Sequence, residues 1–273
     1  MDTLQSYLEA VRNLACMAGE KILEVYQTEF AVETKDDLTP VTQADLVANE
    51  VIRAGLKVLT PDIPIISEED RLPSYEERSQ WLRYWLVDPL DGTREFIQKN
   101  GEFTVNIALI ENQQPILGVV YAPVLQLMYY ALKGDGSYKT SAHNKAEKIH
   151  VKKHCSKPVR VAGSQSFTSN DFISFVRNLP ECSVINLGSA LKSCLVAEGG
   201  ADIYPRFGLT SEWDTAASQC ILEEAGGHLV DLNLQPLRYN TKDSLLNPQF
   251  FAYGDDKMKW LSYCEAGLIN KYK

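Results

Sequence analysis

The stretch that most constrains this chain is Trp85-Leu86-Val87-Asp88-Pro89-Leu90-Asp91-Gly92-Thr93. Tyr84 to Val87 is an unbroken apolar run that reads as a buried strand, and two carboxylates follow it on either side of a proline. Pro89 has no N–H and a fixed φ, so the strand is expected to stop there. Gly92 gives the backbone room to turn and to approach a ligand closely. Asp88, Asp91 and the Thr93 hydroxyl then project into one small space. Carboxylates that close repel unless protonated or neutralised, and a hard divalent cation such as Mg²⁺, which takes oxygen ligands, suits them. A solvated turn would need no cation, so the stretch does not decide alone.

The same logic recurs along the chain. Ile63 to Ile66 reads as a short buried strand and runs directly into Ser67-Glu68-Glu69-Asp70. Three acidic residues in a row usually form a solvated loop, but two neighbouring strands ending in acidic clusters would converge on one site. Thr42 is a plausible N-cap for a helix with Ala44, Val47, Ala48, Val51, Ile52, Leu56 and Leu59 turned inward. Asp45 in its first turn either favours the helix dipole or serves a site. Glu212-Trp213-Asp214 opens a helix that Gly226-Gly227 ends, and Asp214 is a third carboxylate at the end of an element.

Helical spacing of Leu4, Tyr7, Leu8, Val11, Leu14, Ala15, Ala18, Ile22 and Val25 predicts a long amphipathic helix from Leu4 to Tyr26. After Lys35-Asp36-Asp37, a polar break, comes the second helix. Phe103 to Ile110, Ile116 to Ala122 and Leu127 to Leu132 read as strands, and Gly134-Asp135-Gly136-Ser137 as a hairpin turn of an antiparallel meander. Lys145 to Lys157 reads as a basic connector. Beyond it, strands are expected at Val159–Ala162, Ser183–Leu187, Ala201–Pro205 and Phe250–Tyr253. Helices are expected at Asp171–Leu179, from Gly188-Ser189 to Glu198, and near the end within Asp256–Ile269. Glycine and serine at a helix start cap it or offer free N–H groups to an anion. Gly163-Ser164 is a turn after a strand. The sum is one α/β unit of residues 1–273. Its N-terminal α+β half, 1–150, carries most of the acidic candidates, and the α/β half, 151–273, completes the site.

A net charge of −9 argues against unspecific nucleic-acid binding. The six cysteines are scattered, without a C-x-x-C pair, which suits free thiols in a reducing compartment. The start, Met-Asp-Thr-Leu-Gln, lacks the basic and apolar regions of a signal peptide. A cytoplasmic enzyme is expected. Peripheral association with the cytoplasmic face of the inner membrane, and the choice between monomer and homodimer, stay open.

Ser67-Glu68-Glu69, Asp88-Pro89-Leu90-Asp91-Gly92-Thr93 and Glu212-Trp213-Asp214 together resemble the inositol monophosphatase superfamily of Mg²⁺-dependent, lithium-sensitive phosphatases, over nearly the whole chain. Gly188 to Cys194, Ala201 to Arg206 and Gly208 to Ala217 resemble its bacterial 3'(2'),5'-bisphosphate nucleotidases. The resemblance implies a layered fold of alternating helices and sheets. It implies removal of the 3'-phosphate of adenosine 3',5'-bisphosphate, with the 5'-phosphosulfate analogue as a further substrate to test.

By the same resemblance, two or three Mg²⁺ ions are held by Glu68, Asp88, the Leu90 carbonyl, Asp91 and Asp214. Thr93, oriented by Asp45, acts with Glu68 on the attacking water. Gly92 and Thr93 would hold the phosphate together with the metal ligands Glu68, Leu90, Asp91 and Asp214, while Ser164, Gly188, Ser189 and Lys192 are further expected substrate contacts. Phe207 stands where inositol monophosphatases carry an acidic residue for the inositol hydroxyls; an aromatic there disfavours a polyol and is expected to stack on a base. Rival readings are an inositol or sugar phosphatase of the same fold and a nucleotide-binding regulator without turnover. A haloacid-dehalogenase phosphatase is excluded, because D-x-D-G-T would require an aspartate where Pro89 stands.

Overall fold

The computed structural model describes residues 4–29, 31–34, 40–142, 144–164, 169–255 and 257–265. The strand sequences are apolar at consecutive positions because both faces of the main sheet are covered, so alternation between core and solvent is absent. Trp85 and Val87 join one buried cluster with Val105, Ile107, Leu117 and Val119, while Tyr84 and Leu86 join another with Ala108, Ile110 and Val120. This sheet contains β3 (Ile65–Ser67), β4 (Arg83–Asp91), β5 (Thr104–Glu111), β6 (Gln114–Ala122), β7 (Leu127–Leu132), β8 (Gly136–Ser141) and β9 (Asn144–Ile149), in chain order. β3 and β4 are parallel and the rest form an antiparallel meander. A separate hairpin, β1 (Val32–Thr34) with β2 (Pro40–Thr42), precedes them.

Helices α1 (Leu4–Tyr26) and α2 (Gln43–Leu59) cover the Trp85 face. Short helices α3 (Tyr75–Arg78) and α4 (Thr93–Ile97) flank β4, and α5 (Asn170–Asn178) follows in the second half. The Tyr84 face packs on α6 (Leu191–Ala197) and α7 (Glu212–Glu224). Gly118 of β6 permits the close approach of α7, since a Cβ there would lie 2.3 Å from the Ala217 carbonyl oxygen. Beneath these helices lies a second sheet of β10 (Val159–Gly163), β11 (Cys182–Asn186), β12 (Ile203–Arg206), β13 (His228–Asp231) and β14 (Phe250–Tyr253), in the order β11-β10-β12-β14-β13. Its outer face buries Phe175 of α5 against Val161, Ile203 and Phe251. Helices, sheet, helices, sheet and helix thus alternate, the layered α/β architecture expected.

Several expectations are corrected. β4 does not stop at Pro89 but runs to Asp91. Its register against β5 shifts between Asp88↔Asn106 and Asp91↔Thr104, where two residues oppose one. Pro89 falls in that bulge, where no ladder donor is required. The basic segment 145–157 is partly the edge strand β9, whose residues 144–148 are exposed. The first acidic strand is Ile65–Ser67, beginning two residues later than Ile63. Of the tail, Trp260–Tyr263 form a 3-10 helix, while Asp256 and residues 266–269 lie outside the described residues, as do Lys35-Asp36-Asp37.

Candidate active site

β3 and β4 pair in parallel, Ser67 against Val87, and the Glu68 N–H donates to the Val87 carbonyl at 3.2 Å. The two acidic strand ends therefore lie side by side, as their recurrence suggested. Helix α7 brings Asp214 to them from the other half of the chain. Glu68, Asp88 and Asp214 each offer a carboxylate oxygen within 4.8 Å of the others. All three line a cavity of about 740 Å³ between the two halves, and Leu90, Asp91, Gly92, Thr93, Ser164, Ser189 and Lys192 line it too.

Two carboxylates reach this site by one local device. Thr42 caps α2, and its N–H donates to Asp45 Oδ2 at 2.8 Å, in a capping box. Ser211 caps α7 and its N–H donates to Asp214 Oδ2 at 2.9 Å. Asp45 also accepts from the Thr42 hydroxyl at 2.8 Å and, on Oδ1, from the Thr93 hydroxyl at 3.3 Å. The fold thus brings Asp45 beside Thr93, a neighbourhood the sequence permits but does not dictate.

Burial first, then the charge of Glu68, Asp91, Asp214 and Asp45, holds Asp88 well above the usual carboxylate range. Burial with Asp91 and Glu68 does the same to Asp214. Asp91 is pushed up to about 6 by burial, against the opposing pull of Lys192 and the hydrogen bond from Asn106 Nδ2 at 3.2 Å. Such a cluster carries a large repulsion that a cation would reverse. The donor set fits a hard divalent ion: it is made of oxygens, and among the described residues the cavity lining contains no histidine or cysteine.

Other expected contacts divide. Lys192 is buried rather than a surface lysine; its Nζ donates to the Ser189 carbonyl at 2.6 Å, and burial lowers its pKa to about 8. Ser164 borders the cavity, next to residues 165–168 outside the described set. Gly188 does not line the cavity; its N–H donates to Glu102 Oε2 at 2.8 Å, so that donor is already used. Phe207 is a correction. Its ring is buried in the outer core, 5.8 Å from the Phe175 ring and 5.9 Å from Phe251, and presents no face to a base. The stretch Phe207-Gly208-Leu209 instead exposes Leu209 at the cavity rim, with Leu72 and Leu246. Arg206 and Tyr204 at the end of β12 also line the cavity and were given no role from sequence; their position at a strand end beside the Asp214 loop was the available signal.

The chain is similar to known proteins in sequence and in fold. The pattern of the Inositol monophosphatase family matches residues 3–259. The chain is 50% identical over 245 residues, 89% of its length and 98% of the relative's, to the 3'(2'),5'-bisphosphate nucleotidase CysQ of Salmonella typhimurium. It is 48% identical over the same shares to the protein of that name from Escherichia coli K12. A crystal structure of CysQ from Bacteroides thetaiotaomicron, described as a bacterial member of the inositol monophosphatase family, superposes with a TM-score of 0.81 at 38% identity, covering 92% of this chain and 97% of that one.

Proposed function

The chain belongs to the inositol monophosphatase family, and from that membership we propose that it is a 3'(2'),5'-bisphosphate nucleotidase that hydrolyses the 3'-phosphate of adenosine 3',5'-bisphosphate. The carrying observation is the convergence of Glu68, Asp88 and Asp214 on one cavity, in a chain half identical to nucleotidases over nearly their full length. The family is metal-dependent. Glu68, Asp88, Asp91, Asp214 and the Leu90 carbonyl would hold Mg²⁺, two or three ions, which supply Lewis acidity toward the phosphoryl oxygens and the attacking water.

The chain's own residues supply the positioning. Asp45, locked in its capping box, fixes the direction in which the Thr93 hydroxyl donates. The lone pairs of that hydroxyl are thereby turned away from Asp45, toward the cavity, where they orient the water that Glu68 helps to deprotonate. Gly92 sits in the left-handed region at φ 94° and starts α4, so the N–H groups of Gly92 and Thr93 are available to the phosphate. Lys192 and Arg206, with Ser164 and Ser189, offer cationic and hydroxyl contacts to the second phosphate. Leu72, Leu209 and Leu246 offer the rim an apolar contact for the nucleoside.

Residues 1–150 and 151–273 act as one unit in this reading, since Glu68, Asp88 and Asp91 of the first and Asp214 of the second line the same cavity. Free thiols at all six cysteines suit the cytoplasm. No helix among the described residues is long and apolar enough to cross a membrane.

Phosphate release from adenosine 3',5'-bisphosphate, its 5'-phosphosulfate analogue, inositol 1-phosphate and fructose 1,6-bisphosphate tests the proposal, with Mg²⁺ and with added lithium. Preferred turnover of the adenosine bisphosphate, inhibited by lithium, is expected. Preference for inositol 1-phosphate would overturn the substrate, and absence of all turnover with tight nucleotide binding would favour a regulator.

A further inference from the structure

Helix α2 carries Asp45, Asn49 and Arg53 at successive four-residue steps, so the three side chains lie along one line of the helix, the first two buried and Arg53 half-exposed. Each bonds to a residue that lines the cavity. Asp45 holds Thr93, and Arg53 Nη1 donates to Asp70 Oδ1 at 2.7 Å. Between them Asn49 makes two hydrogen bonds of opposite sense. Its Oδ1 accepts from the Ser67 hydroxyl at 2.8 Å, and its Nδ2 donates to Asp70 Oδ1 at 3.0 Å.

Ser67 and Asp70 are the two ends of one tight turn, closed by the Asp70 N–H donating to the Ser67 carbonyl at 3.2 Å. Glu68 is the first residue inside that turn. Asn49 therefore grips both ends of the turn that carries Glu68. An apolar residue would be the cheaper choice there on two counts. Asparagine is a poor residue in a helix interior, and Asn49 sits buried between Ala48 and Ile52 on a core-facing surface, where a polar group must find partners inside the protein. Ser67 is fully buried as well.

We propose that Asn49 is a positioning residue: by clamping Ser67 to Asp70 it sets the Glu68 carboxylate against Asp88 and Asp214, and it makes the Glu68 turn and the Asp45–Thr93 pair one rigid unit on α2. The proposal rests on the reading of Glu68 as a metal-binding and water-activating group. Groups that orient ligands in this way typically change metal affinity or activity by about 10–100-fold when removed.

The test uses Asn49→Leu, branched at the same atom but larger and without hydrogen bonds, and Ser67→Ala, which removes one of the two bonds. Val58→Ser, at an 85% exposed position of the same helix, is the control. Mg²⁺ binding to metal-free protein by calorimetry, kcat and KM for the adenosine bisphosphate, and thermal melting are measured for each. Asn49→Leu should weaken Mg²⁺ binding and lower kcat, each by roughly tenfold or more, with KM changed by less than about twofold. Ser67→Ala should move the same quantities in the same direction by less, and Val58→Ser should move none. A lower melting temperature with Mg²⁺ binding and kcat unchanged in Asn49→Leu would overturn the proposal. If Asn49→Leu fails to fold, unchanged Mg²⁺ binding and kcat in Ser67→Ala overturn it. A wild-type protein that turns over no phosphate ester would instead sink the functional reading beneath it.

Discussion

The starts of α2 and α7 use the same local structure for different ends. In each, a hydroxyl residue caps the helix and its N–H donates to an aspartate three positions on, Asp45 in one and Asp214 in the other. The box fixes both side chains without any help from the site. Their surroundings then diverge. Asp45 accepts from Thr42 on one oxygen and from Thr93 on the other, with Glu68 the only acid among the main influences on it. Asp214 faces Asp91 and Glu68 across the cavity. One carboxylate is saturated by donors and orients a hydroxyl; the other is left among like charges, where a cation belongs. A capping motif provides precision, and its neighbours assign the role.

That comparison sets the order of the expected effects. Asp214→Asn keeps an oxygen for the Ser211 N–H but removes a charge from the cluster. Turnover should fall by about a thousandfold or more, while melting in chelator should rise because one repulsive partner is gone. Asp88→Asn should behave alike. Full activity in either variant, measured by phosphate release, would break the assignment. Asp45→Asn keeps an oxygen for Thr42 yet turns an amide N–H toward Thr93. A loss on the order of a hundredfold in kcat, with Mg²⁺ binding by calorimetry unchanged, is the expected result; weakened Mg²⁺ binding would erase the distinction between the two helix starts. The smallest effect belongs to Phe207, a core residue. Phe207→Leu should lower stability by about 1 kcal/mol and leave KM for the nucleotide unaltered; a raised KM would restore its contact with the base.

The acidic strand ends were legible because each is a buried apolar run stopped by carboxylates, and such a run has few alternatives. α1 was legible to its ends from spacing alone. The bulge at Pro89 was not, since it depends on the register of β5, which the sequence of β4 does not contain. β9 was hidden by its charge: an edge strand exposes its side chains, so Lys145 to Lys148 carry no apolar signal. Phe207 misled because an aromatic residue near a site reads the same whether its ring faces the cavity or the core. Lys192 was ambiguous for the same reason; the carbonyls of Leu187 and Ser189 around its Nζ, together with the charge of Asp91, account for burying it.

The central claim, that these carboxylates form one cation site, is tested most directly by melting temperature against pH, in chelator and in Mg²⁺. Asp91 has a folded pKa of about 6, raised above an unfolded value of about 3.9. Its contribution to stability is therefore complete below about pH 3.9 and is lost as pH rises through about 6. Asp88 and Asp214, likewise held well above the usual carboxylate range by burial and neighbouring charge, act in the same sense. In chelator the melting temperature should accordingly fall as pH climbs from about 4 through about 6 and beyond. Saturating Mg²⁺ binds the ionised carboxylates, so its stabilisation should grow over that range and offset or reverse the fall. Parallel curves, with Mg²⁺ adding nothing at neutral pH, would contradict the account.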